Sequence, residues 1–393
     1  MAAMEKNNKN LNVPNLRFPE FSGEWEKCTL GGIGTTFNGL TGKSANDFGS
    51  GSPFITYKSI FDSSKIDISK VEYVRISETE RAKQTQNEVE YGDIFFTTSS
   101  ETPEEVGMAS VLLTPIHDCY LNSFCFGYRL FDKQAYLPDF FRFYLRSNNV
   151  RRKIAILAQG STRFNISKNE VMKMSIFLPP QNEQRKISEF FSLIEERIET
   201  QKKIIEKYES LIRGLYHSVF NNPSSIQQLR EVVSVVKGKQ VNGEELLEEG
   251  KYYVMNGGTE PSGYLDEYNT PANTISISEG GNSCGYVQYN TEPFWSGGHC
   301  YSLHQKDEGV NYQYLYHFLK YKERDIMALR IGSGLPNVQK KDLERFEIRV
   351  LSIEQQNRVA EILEDISAKC DLEKKILQGW QWQKSFLLSN LFI

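Results

Sequence analysis

A chain that repeats itself folds as two copies of one unit, and this chain repeats itself. Residues 160–220 fall on residues 332–392 at an offset of 172 without a gap, and 13 of the 61 pairs are identical. They include Gly160 with Gly332, Ser161 with Ser333, Asn165 with Asn337, Lys168 with Lys340, Gln184 with Gln356, Ile204 with Ile376 and Phe220 with Phe392. The match extends backwards through Tyr144 on Tyr316, Ile154 on Ile326 and Leu157 on Leu329. Towards the start of each copy the offset becomes 199, setting Leu30 on Leu229, Gly39 on Gly238, Gly51 on Gly250 and Ile55 on Val254. The first copy therefore carries 27 extra residues between about 58 and 135. The copies share their ends and diverge in their centres.

Each copy has the same order of predicted elements. β-rich runs come first, "SPFITY", "DIFFTT", "ASVLL" and "NSFCFGYRLF" in one and "KYYVM", "NTISIS", "GYVQY" and "HCYSLH" in the other. Gly, Asn, Ser and Pro punctuate them, which predicts a mixed sheet. A short aromatic helix follows, "PDFFRFYLRSN" or "YQYLYHFLKYK", then a glycine turn and a strand ending at "IFLPP" or "EIRVLS". A long helix closes each copy, from about Glu183 to Phe220 and from about Glu354 to Phe392. In the first, Ile187, Phe190 and Ile194, and again Ile204, Tyr208, Leu211 and Leu215, step by three and four residues, the pattern of a helix packed on another helix. A single such stripe reads as a core helix. Two of them in one chain point to their pairing, because about 57 Å of helix overhangs a module of this size. The fold class is α+β: two pseudo-repeated mixed α/β modules at 1–180 and 226–352, joined by long helices at 181–220 and 353–393 that form an antiparallel coiled coil, with "NNPSS" at 221–225 as the linker.

Composition narrows the function classes. The 393 residues carry 46 Lys and Arg against 50 Asp and Glu, a net charge of −4, so nucleic acid is bound, if at all, by local patches and not by the molecule as a polycation. No stretch approaches about twenty apolar residues and the opening "MAAMEKNNKNLNVPN" is polar, so no membrane partner and a cytoplasmic location are expected. The six cysteines never form a C-x-x-C pair, which signals neither a zinc module nor a disulfide scaffold. "GLTGKS" at 39–44 fails as a Walker loop, which needs glycine where Phe37 stands, and "GGIG" at 31–34 lacks the dinucleotide spacing. His299, Cys300 and Cys284, like "HDC" at 117–119, lack ligand spacing and read as packing or surface residues. No catalytic or metal site is expected.

Two variable modules, each closed by a Gly-Ser loop, a strand end such as "LPP", an "EQRKI" or "EQQNRV" helix start and a long helix, resemble the specificity subunit of a Type I restriction–modification system. The opening "PNLRFPEFSGEWEKCTLGGI" is similar to the start of such subunits. The resemblance implies that each module is a target recognition domain on double-stranded DNA, that the helix pair holds the modules apart, and that the target is bipartite and asymmetric. It implies two methyltransferase subunits and restriction/translocase subunits as partners. No cofactor is expected in this chain, S-adenosylmethionine belonging to the partner methyltransferase. The competing reading is a coiled-coil adaptor whose modules bind protein or RNA.

Candidate DNA contacts are spread over both copies. Between Arg146 and Lys173 stand seven basic residues, Arg146, Arg151, Arg152, Lys153, Arg163, Lys168 and Lys173, against Glu170 alone; Lys320 to Arg349 holds eight basic and five acidic residues. Each patch surrounds the shared loop "GSTRFNISK" or "GSGLPNVQK", whose Arg163, Asn165 and Lys168, or Asn337 and Lys340, suit phosphate oxygens. The same symmetry would arise if these residues only held the turn. Base reading belongs where the copies differ, which points to Tyr57, Lys58, Thr98 and Ser99 in the first module and to Asn256, Ser278, Glu279, Trp295 and His299 in the second.

Overall fold

The computed structural model describes residues 12–84, 87–221, 225–332 and 334–393. The polar opening up to residue 11, Ser333 of the repeated loop and positions 222–224 of the 221–225 linker lie outside the described residues. Two compact units divide the chain between Thr200 and Gln201 and between Ile376 and Leu377. The first holds the described residues up to Thr200 together with Leu377–Ile393; the second is Gln201–Ile376.

In the first unit a four-stranded antiparallel sheet runs in the order Gly34–Asn38, Cys125–Leu130, Ile94–Thr97, Ala109–Val111. The second unit repeats it with Val233–Lys237, Cys300–Gln305, Thr274–Ser278 and Val287–Asn290. Beside each lies a mixed three-stranded sheet, Glu72–Val74, Phe48–Ile55 and Tyr120–Leu121 in one, Tyr264–Leu265, Tyr252–Met255 and Trp295–Ser296 in the other. These registers refine the repeat. Ile55 pairs with Leu121 as Met255 pairs with Ser296, so Ile55 corresponds to Met255, one residue beyond the Val254 that the sequence offset selects. Between that strand and the next central strand the first copy adds the helices Tyr57–Asp62 and Glu78–Gln84 on either side of its outer strand Glu72–Val74, in the stretch that holds most of its extra length.

The aromatic helices pack across the central sheets: Pro138–Tyr144, followed by Asn148–Ile156, and Tyr312–Tyr321, followed by Glu323–Ala328. The repeated glutamine explains how each long helix is seated. Gln184 is buried, gives its amide to the carbonyl of Pro179 (2.9 Å) and accepts from the Leu137 N–H (2.9 Å). Gln356 is buried likewise, with Leu351 O at 2.9 Å and Asn311 N at 2.8 Å. One amide side chain thus ties the start of the long helix to the start of the aromatic helix in both units.

The long helices are Gln181–Phe220 and Ile353–Asn390. Along the first, the sheltered positions are Ile187, Phe191, Ile194, Ile198, Gln201, Ile205, Tyr208, Ile212 and Leu215, in steps of four and three. The seam therefore runs through Phe191, Ile205 and Ile212; of the residues expected there, Phe190 and Ile204 lie at its flank and Leu211 is exposed. The partner stripe on the second helix includes Gln356, Ala360, Leu363, Cys370, Glu373, Leu377 and Lys384, a seam much poorer in large apolar groups. Polar contacts make up part of the difference. Within the first unit Lys384 Nζ lies 2.6 Å from Glu195, which also pairs with buried Arg142 of the aromatic helix. Within the second, Gln201 donates to the Glu373 carbonyl (3.1 Å) and Lys374 pairs with Glu209 (3.0 Å). These contacts set residues near the middle of one helix against residues that run the opposite way along the other, as in an antiparallel pair.

The repeated phenylalanine closes each core. Phe392 follows the second helix and stands among Phe140, Tyr144 and Phe191 of the first unit at ring-centroid distances of 5.6–5.8 Å, its carbonyl accepting from Asn149 (2.8 Å). Phe220 ends the first helix and stands edge-on to Tyr314 (5.5 Å) and Phe318 (5.3 Å) of the second unit, its carbonyl accepting from Arg349 (3.1 Å). Both rings are 1% exposed, so removing either leaves a cavity and not a solvated surface. Phe392→Ala and Phe220→Ala are each expected to cost about 3–5 kcal/mol. Native-state hydrogen exchange should place the loss in residues 138–156 for the first and 312–328 for the second; loosening in the wrong unit would contradict the assignment.

Candidate nucleic-acid interface

Backbone hydrogen bonds align the surface of the two units residue by residue. Thr98 N donates to Phe124 O at 3.0 Å, as Glu279 N does to His299 O at 2.8 Å. Ile166 N donates to Thr98 O at 3.0 Å, as Val338 N does to Glu279 O at 2.8 Å. Cys125 N reaches Asn122 O at 3.1 Å, and Cys300 N reaches Gly297 O at 3.0 Å. Thr98 therefore corresponds to Glu279, and the turn residue Phe124 to His299. Gly39 and Gly238 are required by this frame, because a Cβ there would come within 2.0 and 2.2 Å of the carbonyls of Asn122 and Gly297.

The repeated loop lies against this strand end. Its first glycine has φ of +133° at Gly160 and +96° at Gly332, a left-handed conformation that side-chain-bearing residues avoid. Gln159 and Asn165 exchange backbone hydrogen bonds of 2.9 and 2.8 Å, as Ile331 and Asn337 do at 2.8 and 3.0 Å. The shared asparagines hold the turn with their side chains as well: Asn165 Nδ2 lies 3.3 Å from Arg163 O, and Asn337 Oδ1 accepts from Gln339 at 2.7 Å. Lys168 is anchored on Asn38 Oδ1 at 2.5 Å, while Lys340 is exposed with Glu344 3.6 Å away.

The other candidates divide sharply by exposure. Ser99 and Ser278 are buried, Ser99 in a two-residue ladder with the loop and Ser278 with its hydroxyl on Gly257 O at 2.6 Å. They brace the surface from beneath, contrary to a role at base edges. Tyr57 donates its hydroxyl to Ser99 O at 2.6 Å, Thr98 donates to Phe124 O at 2.8 Å, and Trp295 Nε1 donates to Lys239 O at 3.0 Å. Asn256 accepts from His299 N at 3.1 Å. The carboxylate of Glu279 is buried, while Lys58, Arg163 and His299 reach the exterior.

The basic run also divides. Arg146 donates to the carbonyls of Ala109, Ile60, Phe61 and Ser63 at 2.7–3.1 Å, and Arg151 to those of Gly107, Glu104 and Val106 at 2.5–2.8 Å. Burial pushes both guanidinium groups down to about 10. They are structural clasps, so the local count of seven bases overstates the surface charge. Lys153 lies over the Phe177 ring at 5.2 Å and Lys173 pairs with Glu170 at 2.8 Å. Arg152 and Arg163 are exposed.

Sequence reasoning passed over Phe124 and Lys237. The signal for Phe124 was present: "SFC" and "GHC" each put an aromatic ring before the cysteine that starts a central strand, but at an offset of 175 that matches neither end of the repeat. Lys237 corresponds to Asn38, on the strand where the offset of 199 still holds.

The family model described as the Type I restriction modification DNA specificity domain matches residues 22–210 and 223–379. The chain is 27% identical over 266 residues to a putative type I specificity subunit of Mycoplasma genitalium, covering 63% of this chain and 70% of that protein. It is 24% identical over 416 residues to a putative type I restriction enzyme specificity subunit of Methanocaldococcus jannaschii, covering 93% and 92%. Among solved structures, an S subunit of a Type-I restriction-modification system from M. genitalium matches with a TM-score of 0.70 at 20% identity, over 97% of this chain and 99% of that one. A chain from a study of complex assembly and conformational transition in the type I system matches with a TM-score of 0.55 at 16% identity, over 93% and 96%. At these identities the two structures establish the shared fold.

The division of the basic run is testable. Arg152→Ala and Arg163→Ala are expected to leave the melting temperature unchanged and to lower the salt slope of duplex DNA binding by about one each. Arg146→Ala, which strips four carbonyls of their donor, should instead cost about 3 kcal/mol in urea unfolding. A stable Arg146→Ala protein with a reduced salt slope would return Arg146 to the surface.

Proposed function

Because the chain belongs to the Type I restriction–modification DNA specificity family, we propose that it is the non-catalytic subunit that selects the DNA sequence on which partner subunits act. The observation that carries this reading is one backbone frame built twice with different side chains on the same surface. A protein that reads two different words with one fold needs that arrangement, since groove recognition separates phosphate contacts that set position from a few side chains that discriminate bases. Each unit reads one half-site. The target is bipartite, and it is asymmetric because the places held by Thr98 and Phe124 in one unit are held by Glu279 and His299 in the other.

Phosphate contacts fall to Arg163, Lys168 and Lys340 around the repeated loop, with Asn165 and Asn337 keeping that loop in shape. Methyl transfer with S-adenosylmethionine, and cleavage with translocation, belong to partner methyltransferase and restriction subunits, which this chain directs in the cytoplasm. Among the described residues no helix is long and apolar enough to cross a membrane, and no group of His, Cys, Asp and Glu is arranged to hold a metal ion. Family membership does not favour the coiled-coil adaptor, which would leave the duplicated loop and the divergent turns without a use.

The experiment is exchange of residues 226–330 for the equivalent segment of another specificity subunit, followed by methylome sequencing of cells that also carry the methyltransferase. One half-site should change and the other keep its letters. Alteration of both together would contradict two separate readers, and the absence of any sequence-selected methylation in the unmodified strain would favour the adaptor.

A further inference from the structure

In the second unit the turn before Cys300 sits over a buried carboxylate. Glu279 Oε1 accepts from Lys237 Nζ at 2.7 Å and from the Tyr301 hydroxyl at 2.9 Å. Its other oxygen, Oε2, is buried with no hydrogen-bond partner among the described residues and lies 3.8 Å from His299 Nδ1. The Glu279 side chain is 10% exposed, whereas those of Lys237 and His299 are 52% and 61% exposed. One buried carboxylate thus anchors Lys237 at the surface and stands beneath a second nitrogen, His299 Nδ1, to which it makes no hydrogen bond. Burying a carboxylate with half its acceptor capacity unused is costly, and the cost points to a demand from outside.

At the corresponding places the first unit differs in chemistry and not in backbone. Phe124 replaces His299 and is 63% exposed, Thr98 replaces Glu279, and Asn38 replaces Lys237 and anchors Lys168. A phenylalanine ring at the tip of a turn, with its own backbone N–H held by Asn122 Oδ1 at 2.8 Å, is a rigid apolar probe facing water.

We propose that the residue before Cys125 and before Cys300 sets one base pair in each half-site: His299 with Lys237 selects guanine in a G·C pair, and Phe124 selects thymine in a T·A pair. The inference rests on the reading of the chain as a DNA-selecting subunit and adds the letters. Guanine offers two acceptors, O6 and N7, on its major-groove edge, which the neighbouring nitrogen donors of Lys237 and His299 complement. Thymine alone offers a methyl group there, which an aromatic ring contacts without a hydrogen bond. Glu279 acts through the other two as a positioning residue.

The test uses the full chain with its methyltransferase in cells, read by methylome sequencing, and the purified complex in selection from a random duplex library. His299→Phe should turn a G·C preference at one base pair of one half-site towards T·A, with discrimination there changed about tenfold and every other letter kept. Phe124→His should act at one base pair of the other half-site. Glu279→Gln, which keeps an acceptor for Lys237 and Tyr301, should relax preference at the His299 base pair alone. An unchanged word in His299→Phe and Phe124→His overturns the proposal, as does a uniform loss of binding on all sequences at an unchanged melting temperature, which would make these phosphate contacts. If the unaltered complex selects no word at all, the function reading itself fails, and that outcome is distinct.

Discussion

The closing of each core by a phenylalanine at the end of a long helix is the contact on which the rest depends. The aromatic helix of the first unit buries Phe140, Phe141, Phe143 and Tyr144, and the sheet and the start of the long helix do not enclose all of that surface. Phe392 completes it from the far end of the chain, while Leu16 N donates to Asn390 O at 2.9 Å and Arg17 pairs with buried Glu183 at 2.7 Å. The first unit thus draws its core from two stretches far apart in sequence, with Phe392 completing it. The second unit is closed by Phe220, which lies within its single stretch of chain. Because each closing residue stands at the end of a long helix, those helices cannot be mere tethers: each is part of a module's interior.

The seam of those helices shows how far periodicity carries a reader. The sequence places adjacent apolar residues at 190–191, 204–205 and 211–212, as Phe-Phe, Ile-Ile and Leu-Ile. Either member of each pair satisfies a three-four pattern, so the helix and its pairing were legible but the phase was not. Packing chooses Phe191, Ile205 and Ile212, the phase continuous with Ile194 and Ile198. Buried Gln201 in the same seam would be a poor core residue in isolation; bonded to Glu373 it fixes register, as a polar seam residue does in coiled coils.

The repeat made the ends of both modules legible and left their middles dark. Gln184 with Gln356, Gly160 with Gly332 and Phe220 with Phe392 are identical because each does one structural job twice, which a gapless offset finds directly. Insertions move the offset to 200 at one strand, 181 at the next and 175 at the turn, so the surface where the copies differ is also where they cannot be aligned by eye. Charge counting failed for a different reason. Arginine satisfies several carbonyls at once with a planar fork of donors, so Arg146 and Arg151 are spent inside the fold, and a linear tally of bases cannot tell a clasp from a contact.

What remains constant at the interface is backbone, and what varies is side chain. The backbone bonds that Thr98 and Glu279 share engage N–H and C=O groups, which every residue other than proline supplies, so side chains can change without disturbing the frame. The braces beneath are small and buried, Ser99 in one unit and Ser278 in the other, and tolerate change above them. A carboxylate at the Thr98 position would nevertheless be unfavourable alone. It is accommodated in the second unit because Tyr301 and Lys237 change with it, Tyr301 on the neighbouring strand of the sheet and Lys237 on the strand beyond. On the proposed reading the two surfaces differ in small correlated sets, an exposed residue that sets the letter and the buried residues that position it.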